Sequence, residues 1–459
     1  MNPQNSFVQR RQKVLDAMVD HSLLMISSGE EQIRNHDVEY PFRVQSDFYY
    51  LTGFEEPDAV LVLIKRSSND HFEQQKSVLF LRPKDIEKEI WQGRRLGVID
   101  APSALKMDDA FSIEDFSDEM SDLIEGIEKL YFSFTQLSDW SELLTGWIAA
   151  QKAKARKGIE APSSLLDADV MLHEMRVIKS GSEIDVMRKA AQISVQGHLA
   201  AMSWAAKQFM QKSARLGSEE PVYEYQMQAA LEHKFKEQGS MRVAFNSIAA
   251  GGENACILHY TENNAPLKDG DLVLVDAGAE YQGYAGDITN TFPLNGRFSE
   301  AQKALYEVVL QAQQAAIAVI APGVRYDEMH KASSQVLVEG LVSLGILNDD
   351  IDSLLKEEAY KPFFMHGTGH WLGMDVHDVG RYKIGGEWRL LEPGMVITVE
   401  PGLYISADVG KEYQVDQKFW NIGIRIEDDV LVTSSGHEVL TTGLPRTPQE
   451  IENFMQNEV

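Results

Sequence analysis

The run Leu272-Val273-Leu274-Val275-Asp276-Ala277-Gly278, followed by Gly286-Asp287-Ile288-Thr289-Asn290-Thr291, constrains this chain more than any other stretch. An apolar strand runs straight into an acid, a turn at Tyr281-Gln282-Gly283 follows, and a second acid sits on the returning side. Gly283 suits a left-handed position with a bulge. A hairpin folded about Tyr281-Gln282 would set residue 280 against residue 283 and Asp276 against Asp287. Like charges directly opposite one another destabilise a sheet. A cation between them removes that cost. The alternative is that one aspartate only caps a turn.

Three further stretches point the same way. The first is Phe363-Phe364-Met365-His366-Gly367-Thr368-Gly369-His370-Trp371-Leu372-Gly373, with His377-Asp378 shortly after. A lone histidine is more often a satisfied core residue, but a cluster beside carboxylates supplies neutral imidazole to metals and protons to substrates. In Met395-Val396-Ile397-Thr398-Val399-Glu400-Pro401-Gly402 an apolar run again ends at an acid. In Ile422-Gly423-Ile424-Arg425-Ile426-Glu427-Asp428 the isoleucines alternate with Arg425 and Glu427, which share the other face. Each acid alone could equally be a salt-bridged strand end; four of them with a histidine cluster argue against that.

Asp276, Asp287, Glu400 and Glu427 bring four negative charges, and His370 adds a neutral nitrogen. Two divalent cations balance that set. Oxygen ligands with one imidazole suit Mn²⁺, and Zn²⁺ or Co²⁺ less specifically. Two ions about 3.5–4 Å apart share a water and lower its pKa towards neutrality, which makes a nucleophile and points to hydrolysis.

The rest of the chain bounds the partners. It has 43 Lys+Arg and 70 Asp+Glu, a formal net charge of −27. Phosphate binding needs concentrated Lys and Arg, so nucleic acid is excluded as a partner, and an anionic membrane surface with it. No apolar run approaches the ~20 residues that span a bilayer. The start, Met1-Asn2-Pro3-Gln4-Asn5, lacks the basic-then-apolar pattern of a secretory leader, and the single Cys256 excludes an intrachain disulfide. A cytoplasmic location is expected. Cys256 itself reads as a small buried hydrophobe.

Along the chain, Ala59–Ile64, Ser77–Leu81 and Leu130–Phe134 read as buried strands among polar helices, an α/β domain spanning residues 1–175. Ala161-Pro162-Ser163-Ser164 reads as a turn. From residue 176 to 459 the pattern changes. Ser180-Gly181-Ser182-Glu183 and Ser299-Glu300-Ala301-Gln302 have the spacing of capping boxes. The first opens a long helix, and a second helix runs from Tyr223 to Gln238. Strands follow from Val243 to Phe292. The second box opens a helix ending at Ala321-Pro322-Gly323, another helix reaches Gly345, and strands are expected from Phe363 to Val432. Helices-then-strands thus occurs twice, which predicts an α+β domain of two similar halves.

With these residues in place, the sequence resembles the Xaa-Pro aminopeptidases (aminopeptidase P), within the pita-bread metallopeptidase family that includes prolidase, methionine aminopeptidase and creatinase. The resemblance runs through Ser46-Asp47-Phe48-Tyr49-Tyr50-Leu51-Thr52-Gly53-Phe54, Trp91-Gln92-Gly93-Arg94-Arg95-Leu96-Gly97, Ile257-Leu258-His259-Tyr260-Thr261-Glu262-Asn263 and all four stretches above. It implies an N-terminal α/β domain followed by a pita-bread domain of two pseudo-symmetric halves. It implies Asp276, Asp287, His370, Glu400 and Glu427 as ligands of two Mn²⁺, with Asp287 and Glu427 shared between the ions and a bridging hydroxide as nucleophile. Glu400 would also shuttle the proton. His259, His366 and His377 would hold the substrate and its developing charge, the last chiefly through His366, and Arg425 would support the site. Asp47 would meet the substrate's ammonium group. Thr368-Gly369 departs from the family pattern and touches pocket shape.

The implied substrates are peptides with a penultimate proline, and the implied assembly is a homo-oligomer, a tetramer or a dimer, with Trp91 helping to wall a site. The nearest alternative is prolidase, which cleaves Xaa-Pro dipeptides; Arg425 could then meet the dipeptide carboxylate. Two others are a catalytically dead binding protein on the same fold and a structural acidic protein, which leaves the hairpin acids unexplained.

Overall fold

The computed structural model describes residues 3–67, 75–210 and 221–458. Met1 and Asn2, the start of the stretch read for a leader, lie outside them. The chain divides into two compact units, Met1–Met175 and Arg176–Val459. Among the described residues no helix is long and apolar enough to cross a membrane.

The first unit is built on a six-stranded sheet in the order Asp109–Ser112, Gln75–Leu81, Val60–Lys65, Ser22–Ser27, Lys129–Phe132, Ser164–Asp167. The three expected strands are present, and three unexpected ones join them. Ser22–Ser27 is short, yet it is the hinge of the sheet, antiparallel to Val60–Lys65 and parallel to Lys129–Phe132. Ser164, expected in a turn, opens the last strand. Phe80 meets Phe116 edge-on at 4.8 Å, and Trp140 and Trp147 pack behind them.

In the second unit the doubled order is plain. Helices Gly181–Phe209 and Glu224–Glu237 precede one set of strands, and Glu300–Ala318, Glu328–Ser343 and Ile351–Lys356 precede another. Both capping boxes form: the Ser180 backbone N–H donates to Glu183 at 2.9 Å, and that of Ser299 to Gln302 at 2.9 Å. The helix opened by Ser299 stops at Ala318, three residues before the expected end. The next one ends where Gly345 takes a positive φ of 71°, a C-terminal position that glycine fills without strain.

Each half carries a three-stranded antiparallel sheet. One is Ile248–Gly251, Leu272–Asp276, Thr289–Pro293; the other is Val396–Val399, Asp428–Val432, His437–Val439. Gly402–Ile405 pairs with Ile422–Arg425. Every residue of Leu272–Asp276 is buried. Burying its three central aliphatic side chains contributes roughly 1.5–3 kcal/mol each, against the cost of taking Asp276 out of water. The stretch expected to be strand from Phe363 onward is irregular as far as Tyr382. Its glycines and histidines form a loop, and regular strands resume at Lys383–Ile384 and Val396–Val399.

Candidate active site

The hairpin delivers its two acids by a register different from the expected one. Tyr281 pairs with Tyr284 and Glu280 with Ala285, so the turn is Gln282-Gly283, one residue later. Both turn residues have positive φ, 48° and 78°, which makes a type I′ turn without a bulge. Asp276 consequently faces Thr289. Asp287 lies two places nearer the turn, opposite Gly278, between the bonds Ala277 N–H to Ile288 O and Gly286 N–H to Ala279 O, each 3.0 Å. The shift preserves the face, because strand side chains alternate with period two.

The histidine loop is pinned to the other half by backbone bonds. The Thr398 N–H donates to His370 O at 2.9 Å, Glu400 N–H to Thr368 O at 2.8 Å, and Leu372 N–H to Val396 O at 3.0 Å. Residues 368–372 therefore run as an antiparallel edge beside 396–400, which sets His370 next to Glu400. Gly369 permits this closeness: a Cβ there would stand 1.9 Å from the Thr398 carbonyl oxygen. Gly369 is thus a packing requirement of the loop.

Nine of the candidate residues line one cavity of about 630 Å³: Asp276, Asp287, His370, Glu400, Glu427, His259, His366, His377 and Arg425. Four carboxylates stand against one guanidinium, three negative charges in excess. Arg425 Nη2 donates to Asp276 Oδ2 at 2.6 Å, Nε to Thr289 Oγ1 at 3.1 Å and Nη1 to the Tyr404 hydroxyl at 2.9 Å. Each of its three nitrogens thus has a buried partner within the site. Burial, followed by the repulsion of Glu427 and Asp276, pushes the Asp287 carboxyl well above the usual carboxylate range. Glu427 moves the same way for like reasons, burial first and then Glu400 and Asp276. Burial carries Glu400 up to about 8, with Arg425 opposing and Asp276 reinforcing the shift. His370 is pushed down to about 4 and His366 to about 3, chiefly by burial, so both are neutral imidazoles.

Such a set is costly as bare acids, and its geometry fits cations. Oδ1 of Asp276 and Oδ1 of Asp287 are buried without a hydrogen-bond partner. His370 Nδ1 donates to Trp371 O at 3.0 Å, which fixes the tautomer and turns a bare Nε2 towards Asp287 Oδ2 and Glu400 Oε1, each 3.6 Å away. Those separations are too long for hydrogen bonds and suit two ligands of one ion. Ligand atoms of Asp287, His370 and Glu427 all lie within 4.8 Å of one another. Asp276 and Glu400 fall outside that tightest group but line the same wall.

His366 lines the same cavity between two polar partners. Its Nδ1 faces the Gly367 carbonyl at 2.8 Å and its Nε2 the Tyr404 hydroxyl at 2.8 Å. A carbonyl only accepts, so Nδ1 carries the proton and Nε2 receives the Tyr404 O–H. That leaves His366 no N–H for a substrate. His377 stacks edge-on against His370 with centroids 4.3 Å apart, and His377 and His259 both face the cavity. Asp47 belongs to the first unit. There Gln45 caps the helix Ser46–Thr52, and Asp47 sits in its first turn, 3.7 Å from His173 Nε2.

The comparisons with known proteins agree with this geometry. Residues 185–434 match the family described as metallopeptidase family M24, more than half of the chain. The chain belongs to metallopeptidase family M24. Residues 7–131 match the aminopeptidase P N-terminal domain. The chain is 42% identical to the Xaa-Pro aminopeptidase of Escherichia coli K12 over 98% of its own length and 97% of the relative's. Aminopeptidase PepP of Pseudomonas aeruginosa superposes with a TM-score of 0.92 at 46% identity, covering 99% of this chain and 98% of that one. A zinc-substituted aminopeptidase P of E. coli, solved with product, does so at 0.92 and 40%, covering 99% of each chain. The fold is therefore an aminopeptidase P N-terminal domain followed by the pita-bread domain of M24.

Several residues around this M24 site give no signal in the sequence. Thr289 Oγ1 donates to Glu427 Oε2 at 2.7 Å, and Tyr404 joins Arg425 to His366. Fully buried Glu224 collects Gly251 N–H, Asn254, Ala265 N–H and the Tyr260 hydroxyl within 3.0 Å, anchoring the segment that carries His259. Phe245, Ile248, Leu258 and Val376 supply apolar wall. Their spacing in sequence is unremarkable, and only the fold brings them together.

Proposed function

We propose that this chain is a Mn²⁺-dependent Xaa-Pro aminopeptidase. The observation that carries the reading is the pair of unpartnered Oδ1 atoms on Asp276 and Asp287, in the one cavity where the bare Nε2 of His370 stands 3.6 Å from Asp287 Oδ2 and Glu400 Oε1. Its kinship with named Xaa-Pro aminopeptidases over nearly the whole chain supports the same reaction class. Asp276, Asp287, His370, Glu400 and Glu427 would hold two Mn²⁺, with Asp287 and Glu427 shared. When bound, the ions supply charge that polarises the carbonyl before proline and activates a water for attack.

The chain's own groups do the rest. Glu400 takes the proton from the attacking water and passes it to the proline nitrogen. With His366 committed to Gly367 and Tyr404, His377 and His259 are the donors for the developing oxyanion. Arg425 holds Asp276 oriented. Because proline has no amide N–H, an apolar wall strands no donor. Asp47 is proposed to receive the substrate's ammonium group. Prolidase is not favoured, since the relatives matched over nearly the whole chain are Xaa-Pro aminopeptidases.

We also propose a cytoplasmic homo-oligomer. Trp91 is 88% exposed, with Ile86 and Ile90 exposed on the same helix, Ile86–Gln92. Three large apolar groups on one short helix suit burial against a second copy. The test of the reaction is metal removal. Chelation should abolish cleavage of an Xaa-Pro-Yaa peptide and Mn²⁺ should restore it best. Full activity in protein shown to be metal-free would overturn the proposal.

A further inference from the structure

Asp287 and Glu427, the two carboxylates assigned to both ions, come from different halves of the domain. Something must hold the two strands at a fixed spacing. Their contact point lies next to them. The Glu427 N–H donates to Thr289 O at 3.0 Å, and Thr289 stands two residues beyond Asp287 on the same face. The side chain of Arg446 reaches this point from the C-terminal segment. Its Nη1 donates to Thr289 O at 3.2 Å and its Nη2 to Glu427 O at 2.8 Å. The same Nη2 is also paired with Asp428 Oδ1.

We infer that Arg446 is a positioning residue that sets the spacing of Asp287 and Glu427 by clasping the backbone carbonyls of Thr289 and Glu427. The inference rests on the dinuclear reading above. A planar guanidinium presents its donors at a fixed spread, which a lysine ammonium does not. The clamp is itself held in place. Asp428 accepts from Thr441 Oγ1 at 2.6 Å and from Gln313 Nε2 at 2.5 Å, so its carboxylate cannot follow a displaced Arg446. The Tyr306 hydroxyl donates to the Arg446 carbonyl at 2.8 Å, a main-chain contact separate from the guanidinium. On the other side, the Asp287 N–H donates to Asp429 Oδ2 at 3.1 Å, and Asp429 directly follows Asp428. Arg446 thus closes a ring of contacts through Asp428, Asp429, Asp287, Thr289 and Glu427. It lies outside residues 185–434, the stretch that matches the M24 family. A shared carboxylate tolerates displacement of about half an ångström before its geometry fails. The loss of this clamp should therefore be felt by the weaker of the two ions first.

The test is Mn²⁺ titration calorimetry on the chelator-stripped full chain, with thermal unfolding alongside. Three variants are needed: Arg446→Lys, Arg446→Gln and, as comparator, Tyr306→Phe. Tyr306→Phe removes a hydrogen bond behind Arg446 but leaves the guanidinium on its carbonyls. The inference expects wild type to take two ions per chain. Arg446→Lys should keep the native circular dichroism spectrum and the tighter ion, and weaken the other by at least roughly tenfold. Excess Mn²⁺ should recover much of its activity. Arg446→Gln should weaken that ion further or lose it. Tyr306→Phe should lower the melting temperature with both affinities unchanged. Native affinities for both ions in Arg446→Lys would overturn the inference. So would an Arg446→Lys chain that fails to fold, because that assigns the residue to global stability. A wild-type chain that takes fewer than two ions would instead overturn the dinuclear reading, a result separable from the others.

Discussion

Gly278 stands opposite Asp287 so closely that a Cβ on residue 278 would lie 1.6 Å from the Gly286 carbonyl oxygen and 3.3 Å from the Asp287 Cα. The near approach of the two strands is what brings the Asp287 carboxylate to the same wall as Asp276. Backbone cannot yield as a flexible side chain can. Gly278→Ala should therefore cost at least ~3 kcal/mol of stability, the range of severe steric lesions, and lower bound metal in the fraction that remains folded. Denaturant unfolding with metal analysis measures both. Wild-type stability and metal content in Gly278→Ala would contradict the hairpin geometry.

The metal-free protein should lose stability as pH rises. The folded chain raises the carboxyl pKa of Asp287, Glu427 and Glu400, the last to about 8, against ~4.3 for a free glutamate. A group whose folded pKa is raised binds more protons folded than unfolded, so its contribution is full below the unfolded value and is lost as pH rises to the folded one. The depressed histidines act oppositely, but only below about pH 6.5, the free imidazole value. Between about pH 6.5 and pH 8 the carboxylates act alone, and Glu400 by itself should lower apo stability by ~1–2 kcal/mol, with Asp287 and Glu427 adding in the same direction. Saturating Mn²⁺ should flatten that slope. Urea unfolding of stripped protein at both pH values decides it; stability that is level or rising would refute the electrostatic account.

Arg425 gives a prediction about substrate choice. Its guanidinium donates to Asp276, Thr289 and Tyr404, so its expected role is to hold the site and not to meet a substrate carboxylate. Arg425→Lys should lower kcat/KM by roughly tenfold or more, because one ammonium cannot span the three partners that the planar guanidinium reaches. The loss should be equal, within about threefold, for Xaa-Pro-Yaa peptides and for Xaa-Pro dipeptides. A selective loss on dipeptides would show that Arg425 meets the free carboxylate.

The acids at strand ends are legible in the sequence because burying Asp276 or Glu400 at the end of an apolar run costs too much unless a cation or a proton compensates it. The capping serines are legible because their signal is local, and the doubled architecture follows from the order of periodic segments. What is not legible comes from partners distant in sequence. Thr289 is 138 residues from Glu427, and Tyr404 is 21 from Arg425. No periodicity announces such pairs. The expected hairpin register fails for a local reason: Gln282-Gly283 supplies the two positive φ values of a type I′ turn, which moves the turn one residue later than Tyr281-Gln282. The histidine loop reads as strand in the sequence because its edge pairing with 396–400 is real, but that pairing is too irregular to make one.

The most direct test of the account compares kcat/KM for Xaa-Pro-Yaa tripeptides with that for the matching Xaa-Pro dipeptides, using Mn²⁺-loaded enzyme. An aminopeptidase must leave the side beyond proline open, whereas a dipeptidase must place a cation there. The account predicts cleavage after the first residue, with tripeptides favoured by at least roughly tenfold, ~1.4 kcal/mol of transition-state discrimination. Dipeptides proving the better substrates would contradict it and make the enzyme a prolidase.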